Sequence, residues 1–176
     1  MCKYGNDEEI EQTINNGVDV NMKNERGEIP LIISCEKENL NSIINLIRNG
    51  AKTDISNSTG TSLLGIICKT ESKKSLEIIS YLIEKEKIDI NFKDKNGNTP
   101  LLIACYFRNN KVIQKLIKNG TNTNIQNVFG DTPLIISYYF KNNKIVSELI
   151  NEGNADIDIS NNYGDTLITI FQKKTK

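Results

Sequence analysis

The side chains best suited to chemistry in this chain are four cysteines and a scatter of carboxylates. Thiolates can bind zinc or act as nucleophiles, and paired carboxylates can transfer protons. The chain contains no histidine, so the commonest general base near neutral pH and the commonest metal ligand are missing. The sequence also has no CxxC pair and no GxGxxG phosphate-binding loop, and its acidic residues form no recurring pair. We therefore expect no catalytic activity, no metal and no cofactor.

Three of the cysteines recur at matching places in a repeated phrase, which favours a structural role. Cys35, Cys68 and Cys105 are separated by 33 and 37 residues. Packed helices lie about 8–10 Å apart, whereas a disulfide needs Cα atoms within about 7 Å. We expect these thiols to be buried, reduced and unreactive, with a metal site as the less favoured alternative. Cys2 is expected to be unpaired. Reduced thiols fit a cytoplasmic protein, with a nuclear location as the alternative.

The charges are balanced, with 22 Lys and Arg against 22 Asp and Glu. A nucleic-acid binder or a polybasic membrane anchor needs an excess of cations, so neither class is expected. No stretch approaches the roughly 20 apolar residues that span a bilayer, and the N-terminal MCKYGNDEEI lacks the apolar part of a secretory signal. We expect a soluble monomer without nucleic-acid or membrane partners. Its zero net charge leaves weak self-association open.

One phrase occurs five times along the chain. It reads GEIPLIISC, GTSLLGIIC, GNTPLLIAC, GDTPLIISY and GDTLITIF, and a second apolar phrase follows each of the first four copies. The opening residues are Gly27, Gly60, Gly97, Gly130 and Gly164, at separations of 33, 37, 33 and 34 residues. A period of this length indicates a stack of similar units, in which each unit buries its apolar face against its neighbours.

Local signals predict two helices in each unit. Pro30, Pro100 and Pro133 suit the first turn of a helix, and Thr99 and Thr132 precede two of them as N-caps. The second helices are expected to start near polar caps and to end in a left-handed residue. The expected caps are Asn39, Ser75, Asn109 and Asn142, and the expected left-handed residues are Gly17, Gly50, Gly120 and Gly153.

The Thr-Pro-Leu helix, the second helix and the closing glycine resemble the ankyrin repeat over nearly the whole chain. The resemblance implies one all-α domain over residues 1–176, an ankyrin-repeat solenoid of stacked antiparallel helix pairs joined by short β-hairpin loops. We assign four full units, called the first to the fourth, to residues 27–59, 60–96, 97–129 and 130–163. Partial units are assigned to residues 8–26 and 164–176.

The second unit departs most from this pattern. About three extra residues are expected in the loop between its helices, within Lys69–Ser75, and Glu86 or Lys87 replaces the closing glycine. The histidine that usually follows Thr-Pro-Leu in ankyrin repeats is absent throughout, and its loss is expected to leave packing as the main link between units. Gly65 occupies that place in the second unit and is expected to leave it empty. We therefore expect the second unit to open most easily.

The resemblance also indicates where a partner would bind. In ankyrin repeats the binding positions lie beside the opening glycine and at the end of the first helix. These positions are charged in the first unit but aromatic toward the C-terminal end, and aromatic side chains are enriched at interfaces. The candidate protein-binding residues are Tyr106, Phe107, Phe129, Tyr139, Phe140 and Tyr163. Packing over the adjacent second helix is the alternative, above all for Phe107 and Phe140.

The expected function is that of a protein-protein interaction module, or scaffold, that binds a protein partner on its concave surface. Two alternatives stay open. The chain could be a fragment of a longer ankyrin array, because the last phrase, TLITIFQ, is apolar where a terminal cap is normally polar. It could also be the substrate-recruiting part of a multidomain enzyme whose catalytic domain lies outside this sequence. An enzyme in its own right has the least support.

Overall fold

The computed structural model describes residue 12 and residues 16–174, apart from the side chain of residue 174. Nine helices lie in this part of the chain, and eight of them form pairs. The first helices of the units are α1 (Pro30–Glu36), α3 (Leu63–Ile67), α5 (Pro100–Tyr106) and α7 (Pro133–Tyr139). The second helices are α2 (Leu40–Arg48), α4 (Lys73–Glu84), α6 (Asn110–Lys118) and α8 (Asn143–Asn151), and α9 (Leu167–Lys174) comes last. The predicted all-α solenoid is confirmed. Residues 8–11 and 13–15 of the N-terminal partial unit lie outside the described residues, and so does Cys2.

The helices stack so that each touches only its own unit or an adjacent one. Their apolar side chains form one continuous core that runs through all four units. None of the helices in the described residues is long and apolar enough to cross a membrane. The loops between units turn back on themselves as expected for hairpins, but the described chain forms no β-strand there, only an isolated antiparallel bridge between Ser56 and Ser62.

The first helices form the interior of the stack. Pro30, Pro100 and Pro133 occupy the first turn of three of them, as predicted, because proline lacks the N–H that would be unpaired there. Thr99 and Thr132 cap two of these helices, and each hydroxyl accepts a backbone N–H at 3.3 Å. Almost every residue of α3 and α5 is buried, because the first helices of neighbouring units cover them on two sides.

The second helices begin after polar residues, but three of the four predicted caps are corrected. Asn109 and Asn142 precede α6 and α8 without a side-chain capping hydrogen bond, and α4 has a different cap. Asn39 caps α2 by accepting the N–H of Ser42 at 3.2 Å. In the second unit the helix begins after Ser72, not near Ser75, and these two serines form a reciprocal capping box with bonds of 2.9 Å. The start of α4 follows the start of α3 at the same interval as in the other units. The extra residues therefore lengthen the helix to 12 residues, against nine in α2, α6 and α8, and are not inserted between the helices as predicted. The loop is longer than in the other units, 68–72 against 37–39, 107–109 and 140–142, because α3 ends early, at Ile67.

Each loop before a first helix closes on an asparagine or aspartate, three residues before the opening glycine. The side chain of Asn127 shows the arrangement, since its Oδ1 accepts the N–H groups of Phe129 at 2.9 Å and of Asp131 at 3.0 Å. Its carbonyl oxygen accepts the N–H of Gly130 at 3.0 Å. The same pattern recurs at Asn24, Asn57, Asp94 and Asn161. Such a side chain mimics a backbone turn and fixes the loop without a strand partner.

Asparagine side chains also link neighbouring units, which corrects the expectation that packing is the main link without the histidine. The Oδ1 of Asn91 accepts the N–H of Asn122 at 2.8 Å, across one junction. The buried Asn109 does not cap α6 but donates to the carbonyl oxygen of Cys68 at 2.8 Å. Further links join Asn21 to Lys52, Asn124 to Asp156 and Asn142 to Asn110. These hydrogen bonds help to fix the position of each unit relative to the next.

Left-handed residues follow the second helices, but not everywhere at the predicted glycine. The prediction is correct for Gly17, Gly50 and Gly120, whose φ angles are 71°, 89° and 76°. In the fourth unit Asn154, with φ 54°, takes this conformation and Gly153 does not. Gly153 is needed for another reason, because an added Cβ would lie 2.8 Å from the carbonyl oxygen of Leu149.

In the second unit another residue takes the place of the missing closing glycine, and the space beside Gly65 is filled. Lys87, rather than Glu86, adopts the left-handed conformation, with φ 51°. The place beside Gly65 is not empty, because a Cβ there would lie 2.9 Å from Cδ1 of Ile103 and 2.9 Å from Cγ2 of Thr61. The glycine thus allows α3 to pack closely against the third unit.

Candidate protein-binding surface

The six candidate aromatic residues come from equivalent places in successive units. Tyr106 and Tyr139 end α5 and α7, and Phe107 and Phe140 follow them as C-caps. Each helix ends there because the next residue turns left-handed, at Arg108 with φ 58° and at Lys141 with φ 57°. Phe129 and Tyr163 lie at the tips of the loops that Asn127 and Asn161 close, two residues after those side chains.

Five of the six side chains are exposed. The exposed fraction is 75% for Tyr163, 53% for Phe107, 52% for Phe129, 40% for Tyr139 and 39% for Phe140. Large apolar side chains that stay this accessible at matching places form a surface that a partner can cover. We call these five residues the aromatic surface.

Tyr106 differs from the others because it is half-buried. Its ring meets that of Phe140 edge-to-face, with centroids 6.4 Å apart and an interplanar angle of 80°. Its hydroxyl accepts a hydrogen bond of 2.9 Å from Nδ2 of Asn127. Burial, together with the nearby charge of Asp131, raises the pKa of Tyr106 above its ordinary value. Tyr106 therefore helps to hold the third unit's helix end against the next loop and the next unit.

Tyr139 is positioned by a polar contact at the rim. Its hydroxyl donates to Oδ2 of Asp165 at 2.8 Å, and Nζ of Lys173 contacts the other carboxylate oxygen. Partial burial and the bond to Asp165 raise the pKa of Tyr139. The bonds from Lys173 and Tyr139 hold the pKa of Asp165 below its ordinary value. The phenol is thus held as a hydrogen-bond donor while the side chain stays 40% exposed.

The three cysteines in the described chain have the predicted structural role. Cys35, Cys68 and Cys105 are buried and unpaired, with exposed fractions of 1%, 0% and 2%. Burial raises the pKa of Cys35 and of Cys105 to about 12 and raises that of Cys68 as well. A thiol that keeps its proton is a poor nucleophile and a poor metal ligand. No group of three potential ligands for a metal ion occurs among the residues that the structure describes.

The comparison with known families agrees with this geometry. A sequence profile of ankyrin repeats matches three times, over residues 1–94, 39–127 and 102–170. The chain belongs to the ankyrin repeat family. Ankyrin repeats are protein-interaction modules, and their fold is generally non-catalytic.

Short stretches of the chain also match large curated proteins. Human transient receptor potential cation channel subfamily A member 1 is 41% identical over 44 residues, which are 25% of this chain and 4% of the channel. Alpha-latrotoxin-Lg1a of Latrodectus geometricus is 39% identical over 57 residues, 31% of this chain and 4% of the toxin. Mouse serine/threonine-protein kinase TNNI3K is 29% identical over 52 residues, 30% of this chain and 6% of the kinase. The chain therefore spans only a small part of the length of these relatives.

The ankyrin fold exposes further residues that the aromatic pattern alone did not select. Val128 lies beside Phe129 at a loop tip and is 54% exposed. Arg108 and Lys141 are exposed directly after Phe107 and Phe140. The signal that could have found these cations is a repeated hexapeptide, YFRNNK at 106–111 and YFKNNK at 139–144.

A separate apolar groove lies between α8 and α9. Val146 and Ile150 of α8 line one side, Leu167 and Phe171 of α9 line the other, and Tyr138 of α7 also lines it. Phe171 is 59% exposed. At the earlier junctions of the ankyrin stack, the second helix of one unit packs against the second helix of the next. The groove therefore exposes the side of α8 that, in the earlier units, packs against the next second helix, and α9 leaves it partly uncovered.

Proposed function

We propose that this ankyrin chain binds a protein partner through the aromatic surface of its third and fourth units, without catalysing a reaction. The observation that carries the proposal is the exposure of five aromatic side chains at equivalent positions of adjacent units. Interfaces concentrate their binding energy in a few such anchors, each often worth about 2 kcal/mol or more. These positions correspond to the concave surface of an ankyrin solenoid.

The three residues that best test the proposal are Phe107, Phe129 and Tyr163. They are the most exposed of the set, and the described structure gives their side chains no hydrogen bond or ring contact. Tyr106 is less suitable, because its replacement would also remove the bond from Asn127 and the contact with Phe140.

The test is affinity capture with the purified chain, followed by mass spectrometry and measurement of the partner's dissociation constant. We expect the triple change Phe107→Ala, Phe129→Ala and Tyr163→Ala to weaken binding by about a hundredfold or more, since it removes three anchors. The matched control is Met22→Ala with Phe92→Ala, which removes exposed apolar side chains outside the aromatic surface. Thermal unfolding of both variants should match that of the original chain.

The charged face of the first unit supplies the opposing outcome. Changes to alanine at Glu25, Arg26 and Glu36 should alter the association rate and its salt dependence more than the affinity. If these changes abolish binding while the aromatic triple stays within twofold of the original chain, the surface assignment is wrong.

A second candidate role, as part of a longer ankyrin array, is favoured by the groove between α8 and α9. Its apolar lining would suit the second helix of a further unit. A role in recruiting substrate to an enzyme has no comparable observation in this chain. The reading frame on either side of this sequence distinguishes both roles from a module that acts alone.

A further inference from the structure

The repeated hexapeptide places cations beside the aromatic surface. Arg108 follows Phe107, and Lys141 follows Phe140, at the ends of two adjacent first helices. The ring contact between Tyr106 and Phe140 shows that these two helix ends are neighbours. Adjacent packed helices lie about 10 Å apart, so the two cationic side chains start from points about that far apart.

Arg108 and Lys141 have no ion-pair partner within the described chain. Both side chains are exposed, and the four ion pairs found in residues 16–173 involve other cations. The matching left-handed position in the first unit holds Glu38, with φ 51°. That carboxylate accepts hydrogen bonds from the hydroxyls of Thr70 and Ser72 in the next unit. The same backbone position therefore serves an internal contact early in the stack and faces solvent later.

The carboxylates of this region already serve groups of the chain itself. Asp131 accepts a bond of 2.9 Å from Asn161, and Asp165 is bonded by Lys173 and Tyr139. Glu71 accepts the backbone N–H of Lys111 at 3.1 Å. Glu148 pairs with Lys144 and accepts from Gln114.

The stretch from the opening glycine of the third unit to the end of α8 carries more cations than carboxylates. Residues 97–151 contain six Lys or Arg against two Asp or Glu, whereas residues 152–163 of the fourth unit add three carboxylates and no cation. Since the nearby carboxylates are engaged, the positive charges of Arg108 and Lys141 lie beside the aromatic surface without an ion-pair partner in the described chain.

We propose that the partner presents an acidic, extended segment, in which two carboxylates flank an apolar side chain. The carboxylates would meet Arg108 and Lys141, and the apolar side chain would lie on the aromatic surface. An extended polyproline-II segment brings residues three apart to the same side and separates them by about 9 Å. This separation is close to the roughly 10 Å expected between the points from which the two cationic side chains start. The pattern is therefore acid-x-x-acid with an apolar residue between. This inference rests on the proposed function, because it specifies the partner of the same surface.

The test uses a phage-displayed library of random 12-residue peptides selected on the purified chain. We expect the selected peptides to be enriched in two Asp or Glu three positions apart, with an aromatic or aliphatic residue between them. A fluorescein-labelled copy of the most frequent peptide then gives dissociation constants by anisotropy. Its affinity should fall steadily as salt is raised from about 50 mM to about 500 mM, because salt screens exposed charge pairs.

Arg108→Gln with Lys141→Gln should weaken this peptide about tenfold, since two exposed charge pairs are lost. The matched control is Lys52→Gln with Lys87→Gln, which removes the same charge from exposed sites elsewhere. Lys87 shares the left-handed backbone of Arg108 and Lys141, so the control also matches the local conformation. The control should stay within twofold.

The outcomes separate the inference from the proposed function. Selected peptides that are neutral or basic, a failure to select any peptide, or equal binding to the Arg108/Lys141 variant would overturn the acidic segment. If neutral peptides are selected and the Phe107/Phe129/Tyr163 variant loses them, the aromatic surface stands and only the acidic partner is wrong. If acidic peptides are selected but neither variant weakens them, both proposals fail.

Discussion

At the scale of single residues, asparagine side chains both close loops and join neighbouring parts of the stack. The chain uses an asparagine or aspartate oxygen to close each of five loops, as at Asn57 and Asn127. Because the asparagine amide both donates and accepts, one side chain can close its own loop and reach a neighbour. Asn127 does so by accepting from Asp131 and donating to the hydroxyl of Tyr106. The loop that presents Phe129 is therefore fixed by the same residue that positions the adjacent helix end.

The buried cysteines predict how stability depends on pH. An unfolded thiol loses its proton near the ordinary pKa of 9.0, whereas Cys35 and Cys105 lose theirs only at about 12. The folded chain therefore binds more protons between these values, and its free energy of unfolding should fall as pH rises through that window. The expected slope is about 1.4 kcal/mol per pH unit for each thiol. Urea unfolding at several values from about pH 8.5 to about pH 11 measures this slope.

Tyrosine and lysine side chains also titrate at alkaline pH, so the cysteine contribution needs a comparison. Cys105→Ala removes one buried thiol and should make the decline with pH shallower by about one thiol's share. An unchanged slope in this variant would show that the alkaline loss of stability does not come from the buried cysteines.

At the scale of helices, the second unit shows how a local weakness in sequence is compensated in structure. Its first helix lacks the proline, but Ser62 caps it by accepting the N–H of Gly65 at 3.1 Å. Its second helix gains one turn and a serine capping box. Gly65 disfavours a helix by itself, yet it lets Ile103 of the next unit fill the space beside it.

Gly65→Ala should therefore lower the free energy of unfolding by about 1 kcal/mol. Alanine favours the helix, but its Cβ would lie 2.9 Å from Cδ1 of Ile103 and from Cγ2 of Thr61, and overpacking outweighs the gain. Denaturant unfolding of Gly65→Ala, Ile103→Val and the double variant forms a complete cycle. Because Ile103→Val removes the Cδ1, the alanine should cost less in its presence. Purely additive effects would show that the contact is not the cause.

Much of the helical architecture could be predicted from the sequence, because each signal is local. The prolines and threonines mark the starts of α5 and α7, and the period of the glycines gives the stack. The start of α4 could not be placed, since both Ser72 and Ser75 are good caps and only the capping box between them decides. The content of the space beside Gly65 depends on Ile103 of another unit, which no local pattern reports. Likewise, the equivalent positions of the six aromatics were evident, but the burial of Tyr106 was not.

At the scale of the whole molecule, each unit depends on its immediate neighbours. Stability in such a stack is approximately the sum of unit and junction contributions, so interior units are held from both sides. The helix α5 has first helices against it on both sides, α3 and α7, whereas α9 has one. The order in which units open should follow from this position in the stack.

Hydrogen exchange tests that order. We expect the slowest amides in α5 and α3, and the fastest among the described helices in α9. The close packing at Gly65 and the capping box of α4 both stabilise the second unit, so two reasons for it to open first are removed. Its Lys87 still adopts a strained left-handed backbone conformation. Exchange at residues 62–87 that is faster than in both flanking units would instead support the weak point expected from the sequence.

The confinement of contacts to adjacent units also bears on how such a chain can change over generations. Duplication or loss of a whole repeat would create or remove one junction and leave distant helices undisturbed, because no described helix reaches beyond its neighbour. The hexapeptides YFRNNK and YFKNNK stand 33 residues apart in the same structural place. A further copy of that stretch would add one more row of two aromatic rings and a cation beside the existing rows, so the length of a recognised segment could grow in whole steps without redesign of the core.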